Sequence, residues 1–254
     1  MVSISTKERS IHEALEKDGY VVISSFISSK QIQSLGEFYA ATADQSGVSE
    51  PFYTTHWSYN ADYRRKVNEF VQQELKENLN TYFGTNKCLL GYFLFKGPSS
   101  DGGVFMHKDW SLIDENEFVG YTLWIPLVDT TLKNGCFQVV PGSHLKDIKP
   151  RGSFIPQEYT DVKEENFMAL PLRAGDVIVF DHRLLHASPP NRSNSERLSV
   201  GLIIVPECAK VIHYFQQPNT GAIEIFEAGD DFLVKSFYDY KRKESGDYII
   251  NIIK

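Results

Sequence analysis

A histidine and an aspartate stand two residues apart in the sequence FMHKDW at residues 105–110. In a β-strand, successive side chains point to opposite faces, so His107 and Asp109 would share one face while Lys108 points outward on the other. An imidazole and a carboxylate presented in this way can serve as two ligands of one metal ion. The pattern H-x-D specifies few residues, and taken alone it fits a surface histidine beside an ordinary acid better.

A third ligand must come from another part of the chain. The candidates are His182 and His186, which lie in FDHRLLHAS at residues 180–188, directly after a β-rich run. Two histidines and one carboxylate on one face of a metal, with the other positions open, suit a non-haem Fe(II) oxygenase. Such a centre needs the open positions for a cosubstrate and for oxygen.

With Arg197 included, a functional metal site becomes a better interpretation of these residues than a surface histidine beside an acid. Arg197 stands at the start of the apolar run 198–205, which is typical of a buried strand. A guanidinium that leads into the core needs an anion, because an unpaired buried charge is very costly. A dicarboxylate cosubstrate would supply that anion through charge-assisted hydrogen bonds, and a salt bridge to an Asp or Glu of the chain is the alternative.

The predicted secondary structure that must position these residues changes along the chain from helices to strands. The helical spacing of apolar residues predicts helices over 7–17 and 63–83, and the β-branched run 20–23 predicts a strand after the first of them. The pair Ser28-Ser29 offers an N-cap for a further helix whose apolar residues continue to Phe38. The helices therefore gather in the first third of the chain.

After Gly84, short β-rich runs follow one another, separated by clusters of Gly, Pro and Asn. The runs cover residues 88–95, 104–107, 119–128, 137–140, 176–180 and 198–205. Many short strands without intervening helices predict a mainly β fold, a sandwich or a jelly roll. The 254 residues are expected to form one domain. Its parts are a helical region of about 1–84, a jelly-roll core of about 85–206 and a C-terminal extension or lid of about 207–254.

The motifs also follow a particular order. HKD at 107–109 is followed by NGCFQVVPGSH at 134–144 and by AGDVIVFDHRLLHASPPNRSNSERLSV at 174–200. In this order they resemble the phytanoyl-CoA dioxygenase family of Fe(II)/2-oxoglutarate-dependent oxygenases, over about residues 18–206. The resemblance implies a double-stranded β-helix, a cupin-like jelly roll of two facing sheets, with the N-terminal helices packed on one sheet.

Carried over residue by residue, the resemblance assigns iron to His107, Asp109 and His186. It assigns the distal carboxylate of 2-oxoglutarate to Arg197. His186 is preferred over His182 because the family places its arginine eleven residues after the ligand histidine. Arg197 stands eleven residues after His186 and fifteen after His182.

Four further side chains are candidate contacts of 2-oxoglutarate. They are Ser188, Thr122, Trp124 and Tyr92. For each of them, core packing or a structural hydrogen bond is the alternative. His144, in the turn PGSH, is expected to stabilise that turn, and the aromatic segment 52–59 is expected to line a substrate entrance or to cap the core.

Asp109 also bears on the reaction that the resemblance implies. Related halogenases carry Gly or Ala at this position, which leaves a coordination site for chloride, whereas here a carboxylate fills it. Hydroxylation of an unactivated C–H bond by O2 and 2-oxoglutarate, with release of succinate and CO2, is therefore favoured. Desaturation, cyclisation and epimerisation use the same three ligands. A non-catalytic jelly-roll protein that binds a small molecule or a metal is the rival class, and it has no need for both the iron ligands and the dicarboxylate anchor.

The composition bears on the partners. A net charge of −7 without a Lys/Arg-rich face argues against nucleic acid or an anionic membrane. Three cysteines far apart in sequence indicate neither a disulfide framework nor a thiolate zinc site. No apolar run approaches the length of a membrane span, and the N-terminus lacks the apolar core of a signal peptide. A cytoplasmic location is expected, with no indication of an oligomeric state.

The substrate is expected to be a small metabolite, such as an amino acid or a natural-product intermediate. The sequence carries neither an acyl-CoA motif nor a basic groove for a nucleotide. Asp114, Glu115 and Glu117 follow the H-x-D motif. A solvated loop is the favoured interpretation of these residues, and the alternative is that they attract a cationic group if their loop overhangs the iron.

Overall fold

Three helices form the first third of the chain in the computed structural model, which describes residues 6–43, 51–99, 101–146, 149–236 and 248–253. They are α1 (Thr6–Asp18), α2 (Ser29–Thr42) and α3 (Ala61–Phe83). Of the predicted pair Ser28-Ser29, Ser28 is the N-cap. It accepts a hydrogen bond from the Gln31 N–H, and the Gln31 side chain accepts one from the Ser28 N–H. This capping box satisfies two backbone donors that the helix itself leaves unpaired.

The strands form antiparallel sheets. They are β1 (Tyr20–Ile23), β2 (Phe52–Thr54), β3 (Asn86–Lys96), β4 (Val104–His107), β5 (Tyr121–Pro126), β6 (Phe137–Val139), β7 (Met168–Leu170), β8 (Val177–Asp181), β9 (His186–Ser188), β10 (Arg197–Pro206), β11 (Ile212–Gln216), β12 (Ile223–Glu227) and β13 (Tyr248–Ile253). A six-stranded sheet has the order β1-β8-β5-β10-β3-β2, and a four-stranded sheet has the order β4-β9-β6-β7. The mainly β jelly roll predicted from the sequence is confirmed.

The two sheets face each other across an apolar layer. Trp124 and Phe180 contribute to it from the six-stranded sheet, and Phe137 and Val139 contribute from the four-stranded sheet. The Phe137 ring lies 5.5 Å from the Trp124 ring and 5.0 Å from the Phe180 ring, centroid to centroid. The space enclosed between the sheets is therefore bounded by aromatic rings.

The other face of the six-stranded sheet carries the helices. Val200, Leu202 and Ile204 of β10 alternate with residues on the inner face and belong to one apolar cluster with Val71 and Leu75 of α3. These side chains are at most 1% exposed. The long central strand β10 is thus fixed on one face by helices, while its other face is free to line the interior.

Several details differ from the sequence-based predictions. The strands β2, β7 and β9 were not predicted, because each has only three residues and gives no readable alternation. The prediction that the whole H-x-D motif lies in a strand is wrong, since β4 ends at His107 and Asp109 lies in the loop that follows. The strands β1 and β2, which come from the helical first third, form both edges of the six-stranded sheet.

The C-terminal part forms a small sheet of its own. It has the order β11-β12-β13, and the short helix α4 (Phe232–Ser236) follows β12. The predicted extension or lid falls on these elements and, in part, on residues 237–247, which lie outside the described residues. In the described part of the chain, no helix combines the length and apolarity that a membrane span requires.

The contact between α3 and the sheet gives a stability prediction. Replacing the fully buried Leu75 by Ala should lower the free energy of unfolding by about 2–5 kcal/mol, because the change removes apolar contact and leaves a cavity. The matched control is Lys76→Ala, the exposed neighbour on the same helix, which should change the free energy of unfolding by less than about 0.5 kcal/mol. Urea unfolding followed by circular dichroism measures both, and equal effects would contradict the packing described.

Candidate metal centre

His107 and His186 are brought together by the pairing of β4 with β9. The two residues are direct partners in the antiparallel register, and their ring centroids are 4.2 Å apart. The Nε2 atom of each histidine lies 3.7 Å from Oδ1 of Asp109. The three possible ligand atoms all lie within 4.8 Å of one another. Among the described residues, this is the group of three His, Cys, Asp or Glu side chains that could hold a metal ion, and His182 is not part of it.

The backbone fixes which nitrogen of each histidine is available. The Nδ1 atom of His107 lies 2.8 Å from the Phe105 carbonyl oxygen, and the Nδ1 atom of His186 lies 3.0 Å from the Leu184 carbonyl oxygen. Because a carbonyl only accepts, each Nδ1 carries the proton and each Nε2 keeps a free lone pair. Burial, and then the neighbouring His107, lower the pKa of His186 to about 4, which favours the neutral form that binds metals.

Asp109 is oriented by neighbours on both its side chain and its backbone. The Thr122 hydroxyl donates to Oδ2 at 2.6 Å, and Nε of Arg151 donates to the Asp109 carbonyl oxygen at 2.6 Å. Burial by itself would raise the pKa of the Asp109 carboxyl, but the imidazoles of His186 and His107 and the Thr122 hydrogen bond bring it below its usual value. The carboxylate is therefore ionised and its Oδ1 faces the two Nε2 atoms.

The loop that carries Asp109 is held by an ion pair that no sequence motif predicts. Arg151 and Glu115 form two hydrogen bonds, at 2.5 and 3.0 Å, and both side chains are more than nine-tenths buried. The charge of Glu115 is thus already compensated by Arg151, which counts against the alternative that Glu115 attracts a cationic group. The two partners are far apart in sequence, and no local pattern links them.

Lys108, predicted to point outward, does not reach solvent. Its side chain is buried, and Nζ donates to the carbonyl oxygens of Ser143 at 3.1 Å and Lys146 at 2.7 Å. The alternation of side chains between the two faces of a strand does not apply to Lys108, because β4 ends one residue earlier, at His107. Lys108 instead ties the metal-site loop to the turn that follows β6.

Arg197 lies deep in the same interior and is 1% exposed. Its Nη1 atom donates to the Gly135 carbonyl oxygen at 2.5 Å and to the Ser188 hydroxyl at 2.9 Å, and its Nε has no hydrogen-bond partner among the described residues. None of the carboxylates in the described ranges lies within 4.0 Å of it, so the alternative of a salt bridge is not found there. Burial lowers the pKa of Arg197 to about 10.

Gly135 is suited to this place by geometry. It has a positive φ of 73°, and a Cβ atom there would lie 2.1 Å from the Pro189 carbonyl oxygen. Only glycine accepts both constraints without strain. The close approach of this turn to Pro189 is what brings the Gly135 carbonyl against Arg197.

A cavity of about 270 Å³ joins the metal-ligand group to Arg197. All four predicted cosubstrate contacts line it, but two of their hydroxyls are already bonded within the protein. Thr122 donates to Asp109, and Ser188 donates to the Gly135 carbonyl oxygen. Trp124 and Tyr92 form walls, with the Arg197 guanidinium 5.3 Å from the Trp124 ring centroid.

The remaining histidines take different places. His182 lines the cavity, is fully buried and packs against Gly120, where a Cβ atom would lie 2.5 Å from its Nδ1. His144 lies within hydrogen-bond distance of the Glu16 carbonyl oxygen, 3.1 Å from its Nε2, and so links the PGSH turn to α1. The aromatic segment 52–59 forms β2 and a 3-10 turn, and His56 and Trp57 line the cavity.

The residues present fit a divalent metal and a carboxylate-bearing cosubstrate. Two neutral imidazole nitrogens and one carboxylate oxygen, with the cavity on their open side, are the donor set typical of non-haem Fe(II). The buried guanidinium with an unpaired Nε fits an anion that enters through the same cavity.

The chain is similar to known proteins in both sequence and fold. The sequence profile of the phytanoyl-CoA dioxygenase family matches residues 15–199. The chain is 30% identical over 149 residues to phytanoyl-CoA dioxygenase domain-containing protein 1 homolog of Dictyostelium discoideum, covering 54% of this chain and 53% of that protein. It is 24% identical over 250 residues to phytanoyl-CoA dioxygenase 1 of Oryza sativa subsp. japonica, covering 75% and 86%. The chain thus spans about half the length of the first of these relatives.

Solved structures share the fold at low sequence identity. EvdO2 from Micromonospora carbonacea var. aurantiaca, in complex with 2-oxoglutarate, has a TM-score of 0.60 at 16% identity, covering 80% of this chain and 91% of that one. The epimerase SnoN, in complex with Fe3+, alpha ketoglutarate and nogalamycin RO, has a TM-score of 0.61 at 20% identity, covering 81% and 86%. The carbocyclase SnoK has a TM-score of 0.60 at 22% identity, covering 82% and 87%.

The ligand group gives a prediction about metal binding. Replacing His186 by Ala should weaken Fe(II) binding at least about 100-fold. The change removes one of three donors, and the loss of only a hydrogen-bond partner of a metal ligand already weakens binding about 10–100-fold. The matched control is His182→Ala, which removes a buried imidazole four residues away that lies outside the donor group. Anaerobic equilibrium dialysis measures the affinity, with circular dichroism to verify folding. Retained binding in His186→Ala together with loss in His182→Ala would show that the wrong histidine was chosen.

Proposed function

The chain belongs to the phytanoyl-CoA dioxygenase family, and on that basis we propose that it is an Fe(II)- and 2-oxoglutarate-dependent dioxygenase. We infer that it hydroxylates an unactivated C–H bond of a small metabolite and releases succinate and CO2. The observation that carries the proposal is the presence, in one cavity, of the His107, Asp109 and His186 donor group and of a buried arginine without a carboxylate partner in the described chain.

Each part of the site has a role in this proposal. The three donors hold the iron, which with O2 and 2-oxoglutarate supplies the oxidising chemistry when bound. Arg197 binds the far carboxylate of 2-oxoglutarate, and the rings of Trp124 and Tyr92 form walls of the space in which the cosubstrate lies. The aromatic walls exclude water, which strengthens the electrostatic contacts inside the cavity.

Asp109 favours hydroxylation over halogenation. Its carboxylate occupies the position that related halogenases leave free for chloride, and the Thr122 hydroxyl and Arg151 hold it there. Epimerisation, cyclisation and desaturation use the same ligand set, and the products distinguish them. Hydroxylation adds one oxygen atom, desaturation or cyclisation removes two hydrogen atoms, and epimerisation leaves the mass unchanged.

The lining of the cavity supports a largely apolar substrate. Apart from the metal donors and Arg197, the wall beside the metal consists mainly of rings and aliphatic groups, among them Trp57, Trp110, Leu112 and Leu233. Lys108 also lines the cavity, but its ammonium already donates to two carbonyl oxygens of the protein. Because a zwitterion would lose its hydration against such a wall, a natural-product intermediate with an apolar ring or chain fits better than a free amino acid.

The proposal predicts a specific product. The full chain with Fe(II), 2-oxoglutarate and O2 should form succinate in the presence of its substrate, and mass spectrometry should show a substrate that has gained one oxygen atom. A panel of apolar ring compounds and free amino acids tests the substrate class. Asp109→Ala should reduce substrate-dependent succinate to background, because one of three iron ligands is lost.

The control for that prediction is Asp62→Ala, which removes an exposed carboxylate of α3 and should leave turnover unchanged. A chain that binds neither Fe(II) nor 2-oxoglutarate, and forms no succinate with any compound, would favour the non-catalytic binding protein. A product of unchanged mass or one that has lost two hydrogen atoms would replace hydroxylation by one of the related reactions.

A further inference from the structure

The residue between two of the candidate metal ligands is held by a side chain from a distant segment. Lys108 stands between His107 and Asp109. Its backbone N–H donates to Oε1 of Gln157 at 3.0 Å, and its carbonyl oxygen accepts from Nε2 of Gln157 at 3.1 Å. Gln157 is half-buried and also lines the cavity. Neither the motifs nor the resemblance pointed to this glutamine.

The two hydrogen bonds fix the direction in which the Gln157 amide faces. A backbone N–H only donates and a carbonyl oxygen only accepts, so the amide oxygen lies against the first and the amide nitrogen against the second. The Tyr159 hydroxyl donates to the same Oε1 at 2.5 Å, which agrees with this orientation. An amide rotated by half a turn would lose both hydrogen bonds to Lys108.

The segment that carries Gln157, residues 151–157, is supported from its other side. The Ser153 N–H donates to the Tyr214 carbonyl oxygen of β11, and the Ser153 carbonyl oxygen accepts from the Gln216 N–H, both at 3.0 Å. The match to the family profile ends before β11 begins. The C-terminal sheet of this chain therefore fixes the backbone from which Gln157 reaches the metal-site loop, the loop that begins after β4.

The peptide groups of Lys108 decide where one ligand lies relative to the other. His107 is the last residue of β4, and no regular structure holds Asp109. We propose that Gln157 is a positioning residue of the metal centre, which fixes the spacing of His107 and Asp109 by holding the backbone of Lys108. The inference rests on the metal centre of the proposed function. Gln157 acts on the ligands through Lys108, because its amide is bonded to that residue.

Loss of the amide has a defined consequence. Asp109 would keep its contacts with the Thr122 hydroxyl and with Arg151, so the loop should stay folded. The backbone of Lys108 would lose two hydrogen bonds and could rotate, and the two ligands would then lack a fixed spacing. Loss of one supporting hydrogen-bond partner around a metal ligand weakens metal binding about 10–100-fold.

The experiment measures metal binding by the full chain. Co2+ is the probe, because its d–d absorption reports the coordination geometry, and competition with a coloured chelator gives its affinity. Gln157→Met, which keeps the length of the side chain and removes the amide, should weaken Co2+ binding about 10–100-fold and change the d–d bands. The matched control is Gln33→Met, the same change at an exposed glutamine of α2, which should leave both the affinity and the bands unchanged.

A second readout separates a positioning role from a general loosening of the fold. On Co2+-saturated protein, the ratio of the affinities for 2-oxoglutarate and 2-oxopentanoate reports on Arg197, because 2-oxopentanoate has the same chain length and lacks the far carboxylate. In Gln157→Met this ratio should change by less than about threefold, since sites that share no contacts behave independently. A ratio that falls towards one would show a general loosening and contradict the positioning role.

A milder variant tests the inference if Gln157→Met does not fold. Gln157→Asn keeps the amide but is one methylene shorter, so it cannot reach both peptide groups of Lys108. It should weaken Co2+ binding about 3–10-fold, which corresponds to the loss of one hydrogen bond.

The outcomes separate this inference from the proposed function. A folded Gln157→Met or Gln157→Asn chain with the Co2+ affinity and d–d bands of the wild type would overturn the role of Gln157 and leave the oxygenase proposal intact. A wild-type chain that binds Co2+ and, once loaded, fails to bind 2-oxoglutarate would overturn the proposed function, while the effect of Gln157 on metal binding would stand. A wild-type chain that does not bind Co2+ would overturn both.

Discussion

The interior depends on one constraint, which is that the two positive charges of Lys96 and Arg197 are removed from water. Arg197 is 1% exposed and Lys96 is fully buried, and in the described chain they share a serine hydroxyl and no carboxylate. Removing such charges from water costs several kcal/mol per ion unless geometry compensates. The compensation comes from carbonyl oxygens of tight turns, from the Trp124 ring and from the apolar cluster that holds β10 against the helices. The described part of the chain thus holds two buried cations without a carboxylate beside them.

The metal-ligand group depends on the other sheet. Antiparallel pairing of β4 with β9 sets His107 directly opposite His186, and backbone carbonyls fix both rings with Nε2 free. Phe137 stacks on the His186 ring at a centroid distance of 5.1 Å and also contacts Trp124 of the opposite sheet. The same aromatic layer therefore positions the candidate metal ligands relative to Arg197.

Asp109 is the candidate ligand whose position depends least on regular structure. It lies after the end of β4, and its place is set by the Thr122 hydroxyl of β5 and by Arg151, which Glu115 orients in turn. A loop held by a buried ion pair has few alternative conformations, because breaking the pair would leave an uncompensated buried charge. This explains how a carboxylate on a loop can be as well placed as two histidines on strands.

The sequence by itself determined the periodic features and the residues whose types are diagnostic. The capped helix at Ser28, the β-rich runs, the H-x-D motif and the spacing of His186 from Arg197 are all local patterns. Only the tertiary structure decided that Lys108 is buried and that Lys96 pairs with Arg197. It also decided that the hydroxyls of Thr122 and Ser188 donate their hydrogen bonds to groups of the protein. Local sequence patterns show which face of a strand or helix a side chain occupies and which secondary structure a residue favours. Burial and charge balance depend on residues far apart in the chain, and they are fixed only when the two sheets have packed together.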